Sequence, residues 1–300
     1  MNSMPRYAAI DIGSNAVRLL LAGIVDINGE IRPKKVSWVR MPIRLGEDAF
    51  LRQAISQERA AKLTKTITGF RHLMEAYQPV AFKACATSAM RTAANGPDIC
   101  KKIEKKTGIK IEIIDGKEEA RFLFQNKHRI MTSKKKAALF IDVGGGSTEM
   151  TLFSGGRVKA SVSFNIGTIR LMNDRVADED WDTMKRWVKK TVKGYPVVEA
   201  IGSGGNINKL FKLAKGRPGG FVTRDKIEAV RDKLEAVPMA ERMIKFNLKP
   251  DRADVILPGA RIYLSALGWA GCEKVHVPMQ GLADGMVRVL HQECCTGKQG

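Results

Sequence analysis

The sequence predicts an α/β protein built from two similar domains, and three observations carry that prediction. A short segment recurs: AAIDIGSNAVRLLL at 8–21 and LFIDVGGGSTEMTL at 139–152 each read as two apolar strands broken by Asp-x-Gly and a tight turn. Ile10, Asp11 and Gly13 return 131 positions later as Ile141, Asp142 and Gly144. Around each copy, strand-like runs alternate with amphipathic helical runs, the pattern of an α/β domain. The 300 residues, 44% of them hydrophobic, suffice for two domains of ordinary size with separate cores.

Each copy opens its domain as a hairpin whose small turn lets backbone N–H groups approach a ligand. Two such turns facing each other would make a phosphate clamp. With the second turn centred on Gly145 and Gly146, cross-strand pairing sets Asp142 opposite Glu149, their Cβ atoms roughly 5 Å apart on one face. Carboxylates so placed repel unless a cation lies between them or one is protonated, and Mg²⁺ shared with phosphate oxygens fits. The same rule puts Asp11 opposite Arg18, a self-neutralised pair. The first turn therefore reads as a phosphate holder and the second as the metal side. The competing reading of Asp142 and Glu149 is a pair of solvated strand-end carboxylates.

Along the first half, VSWVRMPIRLGE (36–47) reads as a strand ending near Gly46. Leu63, Ile67, Phe70, Met74 and Tyr77 recur at helical spacing, an amphipathic helix capped near Ser56. VAFKACA (80–86) reads as a short buried strand delivering TSAMR (87–91), residues 97–107 as a basic helix, and IKIEII (109–114) as a strand. GKEEARFLFQNKHR (116–129) starts a helix with paired acids in its first turn. In the second half, RVKASVSF (157–164) is a strand and NIGTIRLMND a glycine turn into a short helix. From Asp178 to about Lys193, Trp181, Met184, Val188 and Val192 form a core stripe; Lys185, Arg186, Lys189 and Lys190 form a basic face, either solvated surface or a polyanion dock. PVVEAIGSGGNIN (196–208) is strand, glycine loop and helix start, where backbone donors and a helix dipole can meet phosphate.

Composition narrows the partners. A net charge of +20 favours anionic ligands. Nucleic acid is not the expected one, because only 6% of residues are aromatic and no RRM, zinc-finger or arginine-rich motif occurs. No apolar run approaches the roughly 18 residues that span a bilayer, so no membrane partner is expected. Five cysteines, odd in number and without CxxC or zinc spacing, together with an N-terminus lacking a signal pattern, point to a reducing cytoplasm. Four scattered histidines form no metal motif. A homodimer is the commonest oligomer for any such chain.

Taken in order, AIDIGSNAVRL (9–19), ATSAMR (86–91), EEAR (118–121), IDVGGGSTE (141–149), NIGTIRL (165–171) and IGSGG (201–205) make the chain resemble the exopolyphosphatase and guanosine pentaphosphate phosphohydrolase (Ppx/GppA) family. The resemblance implies two ribonuclease-H-like domains of the actin/Hsp70/sugar-kinase superfamily with an interdomain active-site cleft. It also implies hydrolysis of a terminal phosphoanhydride assisted by Mg²⁺ or Mn²⁺. By position it implies Glu119 as the catalytic carboxylate, beside Glu118, and a carboxylate that orients or deprotonates water suits the chemistry. Both glutamates equally suit the positive end of a new helix. The resemblance further places Ser14, Asn15, Arg18 and Arg91 near phosphates, Asp142 and Glu149 near the metal, and Gly144, Gly145, Gly146, Ser147, Thr148, Gly204, Gly205 and Asn206 around the phosphate chain.

Two departures stand out: Asn206 where the family has threonine, and Gly281-Leu282-Ala283-Asp284-Gly285 where it has Gly-Leu-Arg-Glu-Gly. The expected domains are 1–127 and 128–300, with a helix at about 283–294 that can pack back on the first. Ending at 300, the chain has no room for the helical C-terminal extension of larger members, so substrate contacts from such a domain, and processive grip on long chains, are expected to be weaker or absent. The leading function is release of terminal orthophosphate from inorganic polyphosphate. The alternatives are guanosine pentaphosphate 5′-phosphohydrolase and a non-catalytic polyphosphate or nucleotide sensor. The motifs do not separate the first two.

Overall fold

A computed structural model describes residues 4–27, 30–125, 136–217, 219–295 and 297. The chain divides into two compact units, Met1–Asn126 with Gly281–Gly300, and Lys127–Gln280. Residues 281–300, which the expected 127/128 boundary left with the second domain while allowing the helix at about 283–294 to pack back on the first, belong to the first unit.

In the first unit, strands β1 (Arg6–Ile12), β2 (Val17–Ile27), β3 (Glu30–Met41), β4 (Ala81–Ala86) and β5 (Glu112–Ile113) form one sheet in the order β3-β2-β1-β4-β5. β3, β2 and β1 run antiparallel, and β4 and β5 join parallel to β1. The second unit repeats this order with β6 (Ala137–Val143), β7 (Thr148–Ser154), β8 (Arg157–Phe164), β9 (Val198–Ser203) and β11 (Lys274–His276), adding the edge strand β10 (Phe221–Thr223). Both are ribonuclease-H-like subdomains of the actin/Hsp70 fold, so the repeat in the sequence is a repeat of architecture.

Alternation explains the cores. Tyr7, Ala9, Leu20, Ala22 and Ile24 share one face of the first sheet and pack against Leu282, Met286, Val287 and Leu290 of α13 (Leu282–Cys295) and Phe122 of α5 (Gly116–Phe124). Ser56 caps α2 (Gln57–Tyr77), its hydroxyl accepting from Arg59 N, and Leu63, Ile67, Phe70 and Met74 are buried as the spacing requires. In the second unit Met184 and Val188 of α7 (Asp178–Val192) are buried, while Lys185, Arg186, Lys189 and Lys190 are exposed.

Three expectations need correcting. Residues 42–47 are not strand: β3 ends at Met41, Pro42 has no N–H to donate, Arg44 is left-handed (φ 59°), and Leu45–Arg52 is helix α1. β4 is buried only from Ala84 onward, Val80 and Phe82 being exposed. Of 109–114, only Glu112 and Ile113 pair, opposite Cys85 and Ala86. The part of the 116–129 helix beyond 125 lies outside the described residues. No helix among the described residues is long and apolar enough to cross a membrane.

Candidate active site

Within each unit, the polar residues singled out from the sequence lie at or just beyond strand ends, the place where open α/β sheets bind ligands. In the first unit, Gly13 N donates to Ala16 O (3.1 Å), closing a turn centred on Ser14 and Asn15. Register sets Asp11 opposite Arg18, and Arg18 Nη1 donates to Asp11 Oδ2 at 2.7 Å, the self-neutralised pair the sequence implied. The rung continues outward, because Arg40 of β3 lies opposite Arg18.

Behind this turn stands α1. Gly46 N donates to Ser14 O (2.8 Å) and Arg44 N to Asn15 O (3.1 Å), which explains the left-handed backbone at Arg44. Arg59 fixes that corner by donating to Arg44 O (2.7 Å) and pairing with Glu47 and Asp48. At the end of β4, Ser88 Oγ and Ser14 Oγ share a hydrogen bond of 2.9 Å. Arg91, on helix α3 (Ser88–Thr92), donates Nη1 to Ile114 O at 2.6 Å, just before α5 begins.

α5 separates the two glutamates. Asp115 caps it, its Oδ1 accepting from Glu118 N at 2.8 Å. Glu118 pairs with Arg121 at 2.6 Å and keeps 35% side-chain exposure, whereas Glu119 is buried at 8%. α13 supports this helix from behind. Ala283, where the resemblance expects arginine, is buried in the core cluster that includes Leu20 and Phe122, and Asp284 binds Lys35 (2.9 Å) and accepts from Gly281 N.

In the second unit, Gly144 N donates to Ser147 O (2.9 Å), so the turn is centred on Gly145 and Gly146 as the sequence implied. Asp142 stands opposite Glu149, which in turn faces Ser163 of β8. Ser147 Oγ (2.6 Å) and Ser163 Oγ (2.9 Å) both donate to Glu149 Oε1, holding the side chain in one rotamer as an acceptor. The corresponding rung of the first unit carries Asp11, Arg18 and Arg40, so the duplicated position is basic in one unit and acidic in the other.

The carbonyls of the glycine turn all point the same way. The start of helix α6 (Thr168–Met172) takes them: Thr168 N donates to Gly144 O (3.0 Å), Ile169 N to Gly145 O (2.8 Å) and Arg170 Nε to Gly146 O (2.9 Å). In a trans peptide the C=O and the following N–H point in opposite directions, so the N–H groups of Gly145, Gly146 and Ser147 are directed away from α6. Among the described residues no hydrogen bond takes any of these three donors, although all three residues are buried. Buried unpaired N–H groups are rare, and a row of them is a seat for an anion. Gly167 makes the close approach possible, since a Cβ there would fall 2.5 Å from Gly145 and Gly146 backbone atoms. Thr148 Oγ1 donates to Ile166 O (2.6 Å), so it braces the turn from behind.

The second loop joins the same strand ends. Gly204 needs its freedom, with φ 91° and a Cβ position 2.6 Å from Asp142 Oδ1. It leads into α8 (Gly205–Leu213), whose N-terminus has no side-chain cap. Asn206 is buried, donating Nδ2 to Val143 O (3.2 Å) and accepting from Arg252 Nη1 (3.3 Å). The amide thus ties the glycine hairpin to a guanidinium, its nitrogen donating and its oxygen accepting on separate atoms.

The sequence reading missed three residues here. Arg252 lies against Gly205, where a Cβ would be 2.0 Å from Nη2, which places a guanidinium at the start of α8. Arg170 carries no signal in the sequence beyond its place in NIGTIRL. Tyr263 of α12 (Ile256–Ala270) is fully buried, and its hydroxyl lies 2.6 Å from Ser203 O and 3.1 Å from Ile141 O, bracing β9 and β6 near the ends that carry Gly204 and Asp142. Burial, then the Asp142 carboxylate, pushes its phenol well above the usual value, so it remains a donor. Tyr263→Phe, which strands those carbonyls, is expected to cost about 1–3 kcal/mol in chemical denaturation.

Asp142 and Glu149 supply only oxygen, the donor set of a hard cation, and Mg²⁺ needs no more than one or two carboxylates when waters and phosphate complete its shell. The opposed pair therefore fits Mg²⁺ or Mn²⁺. Among the described residues, no group of three or more His, Cys, Asp or Glu gathers into a fuller metal cage.

Comparison with known proteins agrees with this architecture. The sequence profile of the Ppx/GppA phosphatase family matches residues 24–293. The chain is 25% identical to the Aquifex aeolicus Ppx/GppA family member, whose crystal structure superposes with a TM-score of 0.76 over 99% of this chain and 100% of that one. The fold is also that of an exopolyphosphatase from Cytophaga hutchinsonii (TM-score 0.82, 22% identity, 96% and 98% coverage). A bifunctional 3-dehydroquinate synthase/phosphatase of Fusobacterium nucleatum is 28% identical over 292 residues, 88% of this chain. The match spans 43% of that longer protein.

Proposed function

The chain belongs to the Ppx/GppA phosphatases, a family of hydrolases, and from that membership we propose that it releases terminal orthophosphate from inorganic polyphosphate by metal-assisted attack of water. The observation that carries the proposal is the row of three N–H donors at Gly145, Gly146 and Ser147, aimed away from α6 with no partner among the described residues. Successive backbone donors suit the oxygens of a phosphoryl group.

The other residues then take roles. Glu119, buried at the first turn of α5, orients the attacking water and accepts its proton. Ser14, Asn15, Arg18 and Arg91 supply the first unit's contacts to phosphate oxygens. The uncapped start of α8 at Gly204, Gly205 and Asn206, with Arg252 against it, supplies a further seat in the second unit. Asp142 and Glu149 would hold Mg²⁺ or Mn²⁺, which supplies neutralisation of phosphate charge when bound.

The test is phosphate release by the purified full chain from long-chain polyphosphate and, separately, from guanosine pentaphosphate. Faster release from polyphosphate is expected. Release from the pentaphosphate alone selects the 5′-phosphohydrolase, and binding of both without turnover selects a sensor. In the same assay Asp142→Ala and Glu149→Ala should raise the Mg²⁺ concentration for half-maximal rate by about 10- to 100-fold. An unchanged Mg²⁺ dependence in both variants removes the pair as the metal seat.

A further inference from the structure

The three donors of the glycine turn are not held by the same means. The peptide that ends in the Gly145 N–H is fixed by Thr168 N at 3.0 Å, and the one that ends in the Gly146 N–H by Ile169 N at 2.8 Å. Both restraints are backbone groups at the start of α6, present for any side chain there. The third peptide, ending in the Ser147 N–H, is fixed by a side chain, Arg170 Nε at 2.9 Å from Gly146 O. Gly146 has no Cβ to bias that peptide, so without a donor behind it the plane can rotate and turn the Ser147 N–H aside. Arg170 is partly buried beside the turn, where desolvation lowers its pKa and Asp180 partly offsets that.

We infer that Arg170 is a positioning residue: through its Nε–H bond to the Gly146 carbonyl it aims the Ser147 N–H at a phosphoryl oxygen, setting one of the three donors of the anion seat. The inference rests on the phosphatase reading of this turn. It assigns the role to the Nε donor and not to the positive charge, and two substitutions separate these. Glutamine carries Nε2 at the position along the side chain that Nε occupies in arginine, without the charge; methionine has similar reach and no donor.

The experiment uses full-length protein labelled with ¹⁵N-glycine and ¹⁵N-serine, titrated with inorganic phosphate and followed by amide resonances, with turnover measured in parallel. In wild type the Gly145, Gly146 and Ser147 amides should all shift on phosphate addition. In Arg170→Met the Ser147 shift should be lost while those of Gly145 and Gly146 persist, and kcat/KM should fall about 10- to 100-fold, less than the roughly 100- to 1000-fold of a deleted oxyanion donor because the N–H is misaimed and not removed. Arg170→Gln should restore the Ser147 shift and bring kcat/KM to within about threefold of wild type. A merely structural arginine would instead weaken all three shifts together, and that result overturns the inference, as does equal behaviour of the Met and Gln variants. Should Arg170→Met fail to fold, the Gln variant decides: a retained Ser147 shift supports the inference and a lost one overturns it. A wild-type Ser147 amide indifferent to phosphate also overturns it, whatever the turnover. A protein that shows the shift pattern but hydrolyses neither substrate keeps the inference and loses the proposed reaction.

Discussion

Glu119→Gln should lower turnover by about two to four orders of magnitude while leaving the fold and the substrate affinity in place, the scale expected of a general base. Gln is close in shape to Glu, so the packing of a residue only 8% exposed survives the change. The helix does not depend on this carboxylate for its start, because Asp115 already caps it through Glu118 N. Loss of the charge near the helix N-terminus costs only about 0.3–1 kcal/mol. Glu118→Gln is the comparison. That side chain is committed to Arg121 at 2.6 Å, and its removal should leave turnover within threefold. Phosphate-release kinetics on the two variants check the assignment. Turnover of Glu119→Gln within threefold of wild type would take Glu119 out of the reaction, and a large loss confined to Glu118→Gln would move the role by one residue.

The largest stability effect is expected at a glycine that the motif comparison singled out only for its neighbours. A Cβ on Gly285 would fall 1.9 Å from the carbonyl oxygen of Phe122 and 2.5 Å from its carbonyl carbon. Both atoms are backbone, so no rotamer change can relieve the overlap, and α13 must move off α5. Those helices share a core with Leu282, Met286, Val287 and Leu290. Gly285→Ala should therefore cost about 3 kcal/mol in chemical denaturation, at the upper end of overpacking effects. Gly281→Ala, whose Cβ would meet nothing within 4 Å, should stay within about 0.5 kcal/mol. Because Phe122 lies one turn after Glu119 on α5, turnover should fall with stability at Gly285 and not at Gly281. Equal denaturation midpoints for the two variants would show that the helices can separate freely.

What could be read from the sequence was whatever local periodicity encodes. Pairing of Asp142 with Glu149 and of Asp11 with Arg18 follows from the turn centre and the period of two, and both registers are present. The stripes of α2 and α7 follow from the period of 3.6. The reading failed where a distant partner decides. Ile43 and Leu45 continue an apolar alternation past Met41, yet the chain turns there because the Arg44 and Gly46 N–H groups are drawn to the carbonyls of Asn15 and Ser14. Ile109 and Ile111 look like strand and are buried outside it, β4 pairing only through Cys85 and Ala86. Tyr263 sits in an apolar helix where nothing nearby marks its hydroxyl, whose partners are Ser203 and Ile141. Asn206, noted from the sequence only as a departure from an expected threonine, is a bridge from Val143 to Arg252.

The restraint on the turn carbonyls occurs in both units: Gly46 and Arg44 hold Ser14 and Asn15 as Thr168 and Ile169 hold Gly144 and Gly145. In each case the segment after the third strand does the holding, so the repeating element is three strands and a short helix, longer than the hairpin that announces it. The thermodynamic consequence lies in when the loops lose their freedom. Ordering a backbone residue costs about 1–2 kcal/mol of conformational entropy, and here that cost falls on folding. An arriving anion meets donors already fixed and gives up chiefly its own translation and its water. Binding at these turns should thus be limited by desolvation of the phosphate, with little contribution from loop ordering, and loosening either short helix should appear as an added entropic penalty on binding.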